Sequence, residues 1–275
     1  MSPGFDLDHV GIAVHDLDGA AAVYRRLGFT LSDRSYHVAP ASPGAAPTPR
    51  GTGNHCVMLS HGYVELIGIT DPAYRGGLRQ HLAQNEGLHI VAFGCADAAT
   101  AGMPRRLTRP IVERGKSVTA EFSIVDLPAP VGNDTYIAIE HHSRAALWQP
   151  HLLPHANGAR GLLEMTVCAA DPAAYAAKLA ATLGVAVQAN GDAHTVRLAF
   201  GSVDTVDPAG LERRYSGVAA PALPFLAGIA LTADDIARTC ALLRANGADY
   251  RSRPTGSIWI APAQACGAVI EFIPA

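Results

Sequence analysis

The sequence predicts an α+β fold: four β-α-β-β-β modules paired into curved mixed sheets. Three observations carry the prediction. An apolar strand ending at an Asp recurs four times, a helix-forming stretch follows it, and short alternating runs follow the helix. The opening strands begin at Leu7, Leu88, Leu163 and Ala227 and run to Asp16, Asp97, Asp171 and Asp235. Aligned on His9, His89, Glu164 and Gly228, they lie 80, 75 and 64 residues apart. That interval is a supersecondary module, too long for a solenoid turn.

In the first module Asp16 or Asp18 caps a helix over 20–27, Gly28 ends it, and strands follow over 29–36, 55–60 and 63–69. The second has strands over 110–114, 119–125 and 135–141, and Gly102 and Pro104 shorten or kink its helix. In the third, Asp171-Pro172 reads as an N-cap with proline in the first helical position, the helix covers 173–183, and Gly184 closes it. Its strands fall over 185–188, 195–200 and 203–206. The fourth has a helix over 235–245, ended by Asn246-Gly247, and strands over 250–253, 257–261 and 268–273. The Ala-, Pro- and Gly-rich stretch 37–53 reads as a loop or lid. The Pro-punctuated stretch 142–160 reads as the link between an N-terminal half, 1–150, and a C-terminal half, 160–275.

Composition narrows the function. The chain of 275 residues is 49% hydrophobic, enough for a substantial core, and only 16% charged, with a net charge of −3. No basic excess exists to neutralise phosphates, so a nucleic-acid partner is not expected. No apolar run spans a bilayer and the N-terminus lacks a signal pattern, so a cytoplasmic protein without a membrane partner is expected. Five scattered cysteines without a Cys-x-x-Cys pair argue against disulfides and a structural zinc site. The expected partner is a small-molecule substrate, with a homodimer as an open option.

The chemistry concentrates in the N-terminal half. His9 and His89 sit in the opening strands of the first two modules, and Glu65 and Glu140 sit in their closing strands. The His-to-Glu separations are 56 and 51 residues, so each module delivers the same pair. A carboxylate within an apolar strand needs a partner, and two imidazoles with two carboxylates satisfy one another by sharing a divalent cation, Zn, Ni, Mn, Fe or Co. His141 and His142 adjoin Glu140, with His141 pointing away from the Glu140 face. His55 and Glu121 lie on strands with undetermined orientation. The pair His151 and His155 brackets Pro154 and reads as exposed linker.

The segments Asp8-His9-Val10-Gly11-Ile12-Ala13-Val14, Asp16-Leu17-Asp18, Gly51-Thr52-Gly53-Asn54-His55 and Tyr63-Val64-Glu65-Leu66-Ile67-Gly68 resemble the vicinal oxygen chelate superfamily, in its glyoxalase-like branch. The resemblance implies the glyoxalase/bleomycin-resistance/extradiol dioxygenase fold, a cupped sheet around a divalent metal, and the ligand set His9, Glu65, His89 and Glu140. It implies an isomerase or lyase in which the metal stabilises an enolate or oxyanion and Glu140 or Glu65 is the base. An Fe(II) or Mn(II) dioxygenase using His9, His89 and Glu140 is the alternative, and a non-catalytic drug-sequestering protein the third. Glu164, Gly228 and Glu271 imply that the C-terminal half is a degenerate copy without metal.

Overall fold

The structure, a computed structural model, describes residues 4–40, 45–113 and 115–275. The first module comprises β1 (Asp6–Val14), α1 (Leu17–Arg26), β2 (Ser35–Pro40), β3 (Pro47–Met58) and β4 (Tyr63–Ile69). A short helix, α2 (Leu78–Gln84), leads into the second: β5 (Gly87–Gly94), a 3-10 turn (Ala98–Ala101), β6 (Arg105–Glu113), β7 (Lys116–Leu127) and β8 (Thr135–His141). After α3 (Arg144–Leu147) comes the third, with β9 (Ala159–Cys168), α4 (Pro172–Leu183), β10 (Val187–Asn190), β11 (Ala193–Arg197) and β12 (Ser202–Val206). Helix α5 (Pro208–Arg214) joins it to the fourth: β13 (Phe225–Ala233), α6 (Ile236–Ala245), β14 (Arg251–Ser252), β15 (Ile258–Ile260) and β16 (Val269–Pro274).

The modules pair in twos. The first sheet runs β2-β3-β4-β1-β5-β8-β7-β6 and the second β10-β11-β12-β9-β13-β16-β15-β14. In each, two opening strands meet antiparallel at the centre, and each closing strand lies parallel to its own opening strand. The first sheet curls until its ends meet: the Ser35 hydroxyl on β2 donates to the Pro110 carbonyl on β6 at 2.7 Å. That curl makes its concave face a cup. The convex faces of both sheets and the helices share one core running through both halves. Phe29 stacks on Phe272 at 5.9 Å, and Tyr136 on β8 hydrogen-bonds Tyr175 on α4.

Asp16 and Asp171 cap their helices as expected, and Asp235, expected as the first helical residue, is the cap of its own. The Asp16 carboxylate accepts from the N–H groups of Asp18 and Gly19, Asp171 from Ala174, and Asp235 from Arg238. In the second module Asp97 caps only the four-residue turn, because Gly102 and Pro104 stop propagation.

Two expectations change. Much of the stretch 37–53 is strand: β2 pairs β3, with Val38 opposite Pro49 and Ala39 opposite Thr48. Pro47 and Pro49 are tolerated because β3 pairs with β4 only from Thr52 onward, so this end of it is bonded on one side. Residues 41–44, the middle of the expected lid, lie outside the described residues. Helices α2 and α5, each of seven residues, replace expected irregular chain. Among the described residues, no helix is long and apolar enough to cross a membrane.

Candidate functional site

The cup of the first sheet holds a cavity of about 420 Å³. One wall is polar, with His9, His37, Asn54, Glu65 and Arg109. The other is apolar, with Ile90, Phe122, Ile124, Ile137 and Ile139.

Two of the four expected ligands reach this cavity. On β1 and β4, His9 lies opposite Tyr63 and Gly11 opposite Glu65, so His9 and Glu65 share the concave face on neighbouring strands. His89 and Glu140 do not line it. The register explains why. The β1–β5 ladder has two irregularities, which leave Asp8 and His89 as the extra residues. Asp8 and His89 are 81 residues apart, and so are the N-caps Asp16 and Asp97. The module interval is therefore 81, and the counterpart of His9 is Ile90. Gly11 pairs with Glu65 as Ala92 pairs with Ile137, so the counterpart of Glu65 is Ile137. The four-ligand set His9, Glu65, His89 and Glu140 is corrected accordingly: the second module presents two isoleucines where the first presents His and Glu.

The displaced pair has other partners. Glu140 shares the convex face with Tyr136 and Ala138, accepts from the Ala98 N–H at 3.1 Å, and lies 3.3 Å from His142 Nδ1. It caps the 3-10 turn. His89 Nδ1 lies 2.8 Å from Asp134, its Nε2 lies 3.0 Å from the Asn85 carbonyl, and its ring stacks on His81. His55 faces away from the cavity and bonds the Ser32 carbonyl at 2.9 Å, Glu121 is exposed, and His155 is buried between Thr30 and Met58.

Asp8 and His9 form a dyad. The irregularity at Asp8 lets its carboxylate meet the neighbouring ring, which successive residues of a regular strand cannot do. Its Oδ1 lies 2.7 Å from His9 Nδ1, and His141 Nε2 bonds the same carboxylate at 3.0 Å. Burial works to raise the Asp8 pKa, but the bonds from His141 and His9 prevail and hold it well below the usual carboxylate range. The His9 ring lies flat on Tyr63 at 4.2 Å, so its plane is fixed.

Glu65 accepts from the Asn54 amide at 2.5 Å and lies 3.6 Å from His37 Nε2, which is buried without a hydrogen-bond partner. Burial again works upward, but His37, His9 and Asn54 bring its pKa down to about 2. Such a carboxylate is a weak proton acceptor. Arg109, also in the wall, makes no ion pair or side-chain hydrogen bond among the described residues.

The sequence reading missed Asp8 as a partner, His37, Asn54 and Arg109. A signal for Arg109 exists. Arg105, Leu107, Arg109 and Ile111 alternate on β6 and share the face toward the cavity.

With this geometry in place, the comparisons are informative. The sequence profile of a family described as "Glyoxalase-like domain" matches residues 7–183. The chain belongs to this glyoxalase-like family. A search of curated protein sequences returned no match. A hypothetical protein from Staphylococcus aureus is similar in structure, with 10% identity, a TM-score of 0.64, and coverage of 98% of this chain and 100% of that one. A mutant 4-hydroxymandelate synthase from Streptomyces coelicolor shows 15% identity and a TM-score of 0.54, over 98% and 92%. A xylose isomerase-like TIM barrel/4-hydroxyphenylpyruvate dioxygenase fusion protein shows 12% identity and 0.55, over 98% of this chain and 49% of that one. At these identities the likeness is one of fold.

The resemblance implies a divalent metal, and the donors can be tested against it. At the expected position the glyoxalase-like chain offers His9 and Glu65, with His37 beside Glu65, but these three donors do not gather within 4.8 Å of one another and isoleucines stand opposite, so that position does not fit. Among the described residues, one group of three has donors within 4.8 Å of one another: His81, His89 and Asp134. Its His81 Nδ1 is buried without a partner, and burial beside His89 lowers the His81 pKa, which keeps the ring neutral. His81 and Thr135 also line the cavity, so this cluster borders the cup.

The C-terminal cup keeps a smaller cavity, of about 200 Å³, whose wall charges pair with one another. Glu164, Asp204 and Glu271 hold the register positions of His9, Glu65 and Glu65. Arg214 on α5 bonds Glu164 at 2.6 Å and Asp204 at 2.8 Å, and Arg253 bonds Glu271 at 2.9 Å.

Proposed function

We propose that the N-terminal cup is the active site of a proton-transfer enzyme of the isomerase or lyase kind, with His9 as the general base. The Asp8–His9 dyad beside a half-apolar cavity supports this reading. Asp8 fixes the ring at Nδ1 and leaves Nε2 without a partner among the described residues. An imidazole held by a carboxylate is a common proton carrier.

The substrate is a small carbonyl compound. His9 Nε2 takes a proton from the carbon beside the carbonyl. The C–H electron pair becomes the new C=C bond, and the carbonyl oxygen takes the negative charge. Asp8 stabilises the imidazolium that forms. In an isomerisation the deprotonated carbon also bears a hydroxyl: the proton returns to the former carbonyl carbon, the hydroxyl proton passes to the other oxygen, and carbonyl and hydroxyl exchange places. In an elimination the enolate instead expels a leaving group from the next carbon. Glu65 stays ionised and adds negative potential near the imidazolium. The apolar wall of Ile90, Ile137 and Ile139 excludes water and strengthens these fields.

The test is exchange of a carbon-bound proton with deuterated solvent, screened over small carbonyl compounds. Exchange that depends on His9 supports the reading, and exchange undiminished in His9→Ala sinks it.

A second reading rests on the unpartnered His81 Nδ1. Two histidines and an aspartate match the two-His, one-carboxylate set of non-haem Fe(II) oxygenases, and dioxygenase-fold proteins are among the structural neighbours. A metal held by His81, His89 and Asp134 would supply Lewis-acid or redox chemistry at the rim of the cup. Elemental analysis decides it: bound metal lost in both His81→Ala and Asp134→Asn supports this reading, and equal metal in wild type and both variants rejects it.

A further inference from the structure

We propose that the substrate of the cup is a carboxylate, that Arg109 holds that carboxylate, and that the remainder of the molecule lies along the isoleucine wall. This inference rests on the proton-transfer reading and names its substrate class.

Arg109 differs from the other enclosed arginines. Arg214 and Arg253 each pair with carboxylates of their own half. Arg109 has no carboxylate within 4.0 Å and no side-chain hydrogen bond among the described residues, although it forms part of the cavity wall. Burial draws its pKa down while the nearby Glu65 charge works the other way. An enclosed guanidinium without hydrogen-bonded anion contact is costly, and the cost is removed when a planar anion meets its fork of donors. Glu65 does not fill that role, because Asn54 and His37 engage its carboxylate.

The surroundings agree. Arg109 also borders an outer cavity of about 810 Å³ that opens beside the first. Arg50, Arg75 and Arg105 line this outer space, Arg105 being paired with Asp126, and among the described residues Asp71 is its only acidic lining residue. An approach with that charge balance favours anions. Beyond Arg109 the inner wall turns apolar, with Ile90, Ile124, Ile137 and Ile139. A cavity of about 420 Å³ suits a small organic acid. A single guanidinium meets a carboxylate in two parallel bonds and balances its one charge, whereas a phosphate monoester carries nearly two charges at neutral pH.

The experiment is calorimetric titration of the full chain with hexanoate, 3-phenylpropanoate, their primary amides and hexyl phosphate. The acids are expected to bind at least tenfold more tightly than the amides. Arg109→Gln is expected to weaken the acids at least thirtyfold and to leave the amides unchanged, and Arg109→Lys is expected to fall between. Thermal unfolding of each variant establishes that it is folded. Equal binding of acids and amides, undiminished acid binding by folded Arg109→Gln, or tighter binding of hexyl phosphate than of hexanoate would each overturn the assignment. His9→Ala separates the two readings. Acid binding that survives in it while proton exchange is also unchanged leaves Arg109 as the anchor and removes His9 as the base.

Discussion

At the scale of the residue, the cup depends on two carboxylates kept ionised inside the protein. Asp8 and Glu65 both bind their proton less tightly in the native chain than in the unfolded one, Glu65 at about 2. Unfolded carboxylates titrate near 4. Between those values the unfolded chain carries more protons, so stability present at neutral pH is lost as the pH falls from about 4.5 toward 2. Asp8→Asn removes one of the two groups. Denaturant titrations from pH 2 to 7 should show a shallower acid slope for this variant, and a loss of about 2–3 kcal/mol at pH 7, since hydrogen bonds to a charged group are broken. Its turnover should fall about a hundredfold or more, because the His9 ring loses the partner that fixes it. An unchanged acid slope would remove Asp8 from the charged cluster.

At the scale of the element, the modules were legible where local chemistry specifies them. Asp16, Asp171 and Asp235 announce their helices, and Gly184 closes α4 in the left-handed conformation, with φ of 66°. The partners across the sheet were not legible. Asp8 and His89 are equivalent extra residues, so the interval is 81 throughout. Aligning His9 on His89 is one residue out, and that offset exchanges the two faces of β5, so Ile90 faces the cup and His89 does not. The spacing of Asp16 and Asp97 carried the correct interval in the sequence, whereas the irregularity that puts Asp8 beside His9 is fixed by the facing strand and leaves no mark among alternating apolar residues. Close packing contributes: a Cβ on Gly11 would lie 2.8 Å from Ile90, so glycine makes room for that side chain. The same register gives Glu140 a task at an element's end. Glu140→Gln should lower stability by about 0.5–1 kcal/mol through the weakened turn at Ala98 and leave carboxylate binding in the cup unchanged. A large loss of binding in that variant would restore Glu140 to the site.

The largest scale joins the two halves. The second cup repeats the register of the first but surrounds two guanidinium groups with three carboxylates. Burial, with the neighbouring Asp204 and Glu271, outweighs Arg214 and pushes Glu164 up to about 7. The native chain therefore retains a proton that the unfolded chain releases above the ordinary glutamate range, and stability declines as pH rises from about 4.5 to 7. Glu164→Gln should abolish that decline, match wild type near pH 4 and exceed it at pH 8.

The core shared by both halves couples them mechanically. Phe272 of β16 is fully buried against Phe29 of the first module, so Phe272→Ala should cost about 3–5 kcal/mol although it lies far from the cavity. The loss should reach both halves together. The two tryptophans provide separate reporters: Trp148 lies against Tyr63 and His141 beside the first cup, and Trp259 lies on β15 against Tyr215. Single-tryptophan variants Trp148→Phe and Trp259→Phe, each combined with Phe272→Ala, should unfold at the same denaturant midpoint, shifted equally from their parents. If the Trp148 signal kept its parental midpoint while the Trp259 signal moved, the halves would be independent folding units, and the interface through Phe29 and Tyr136 would not hold the cup in shape.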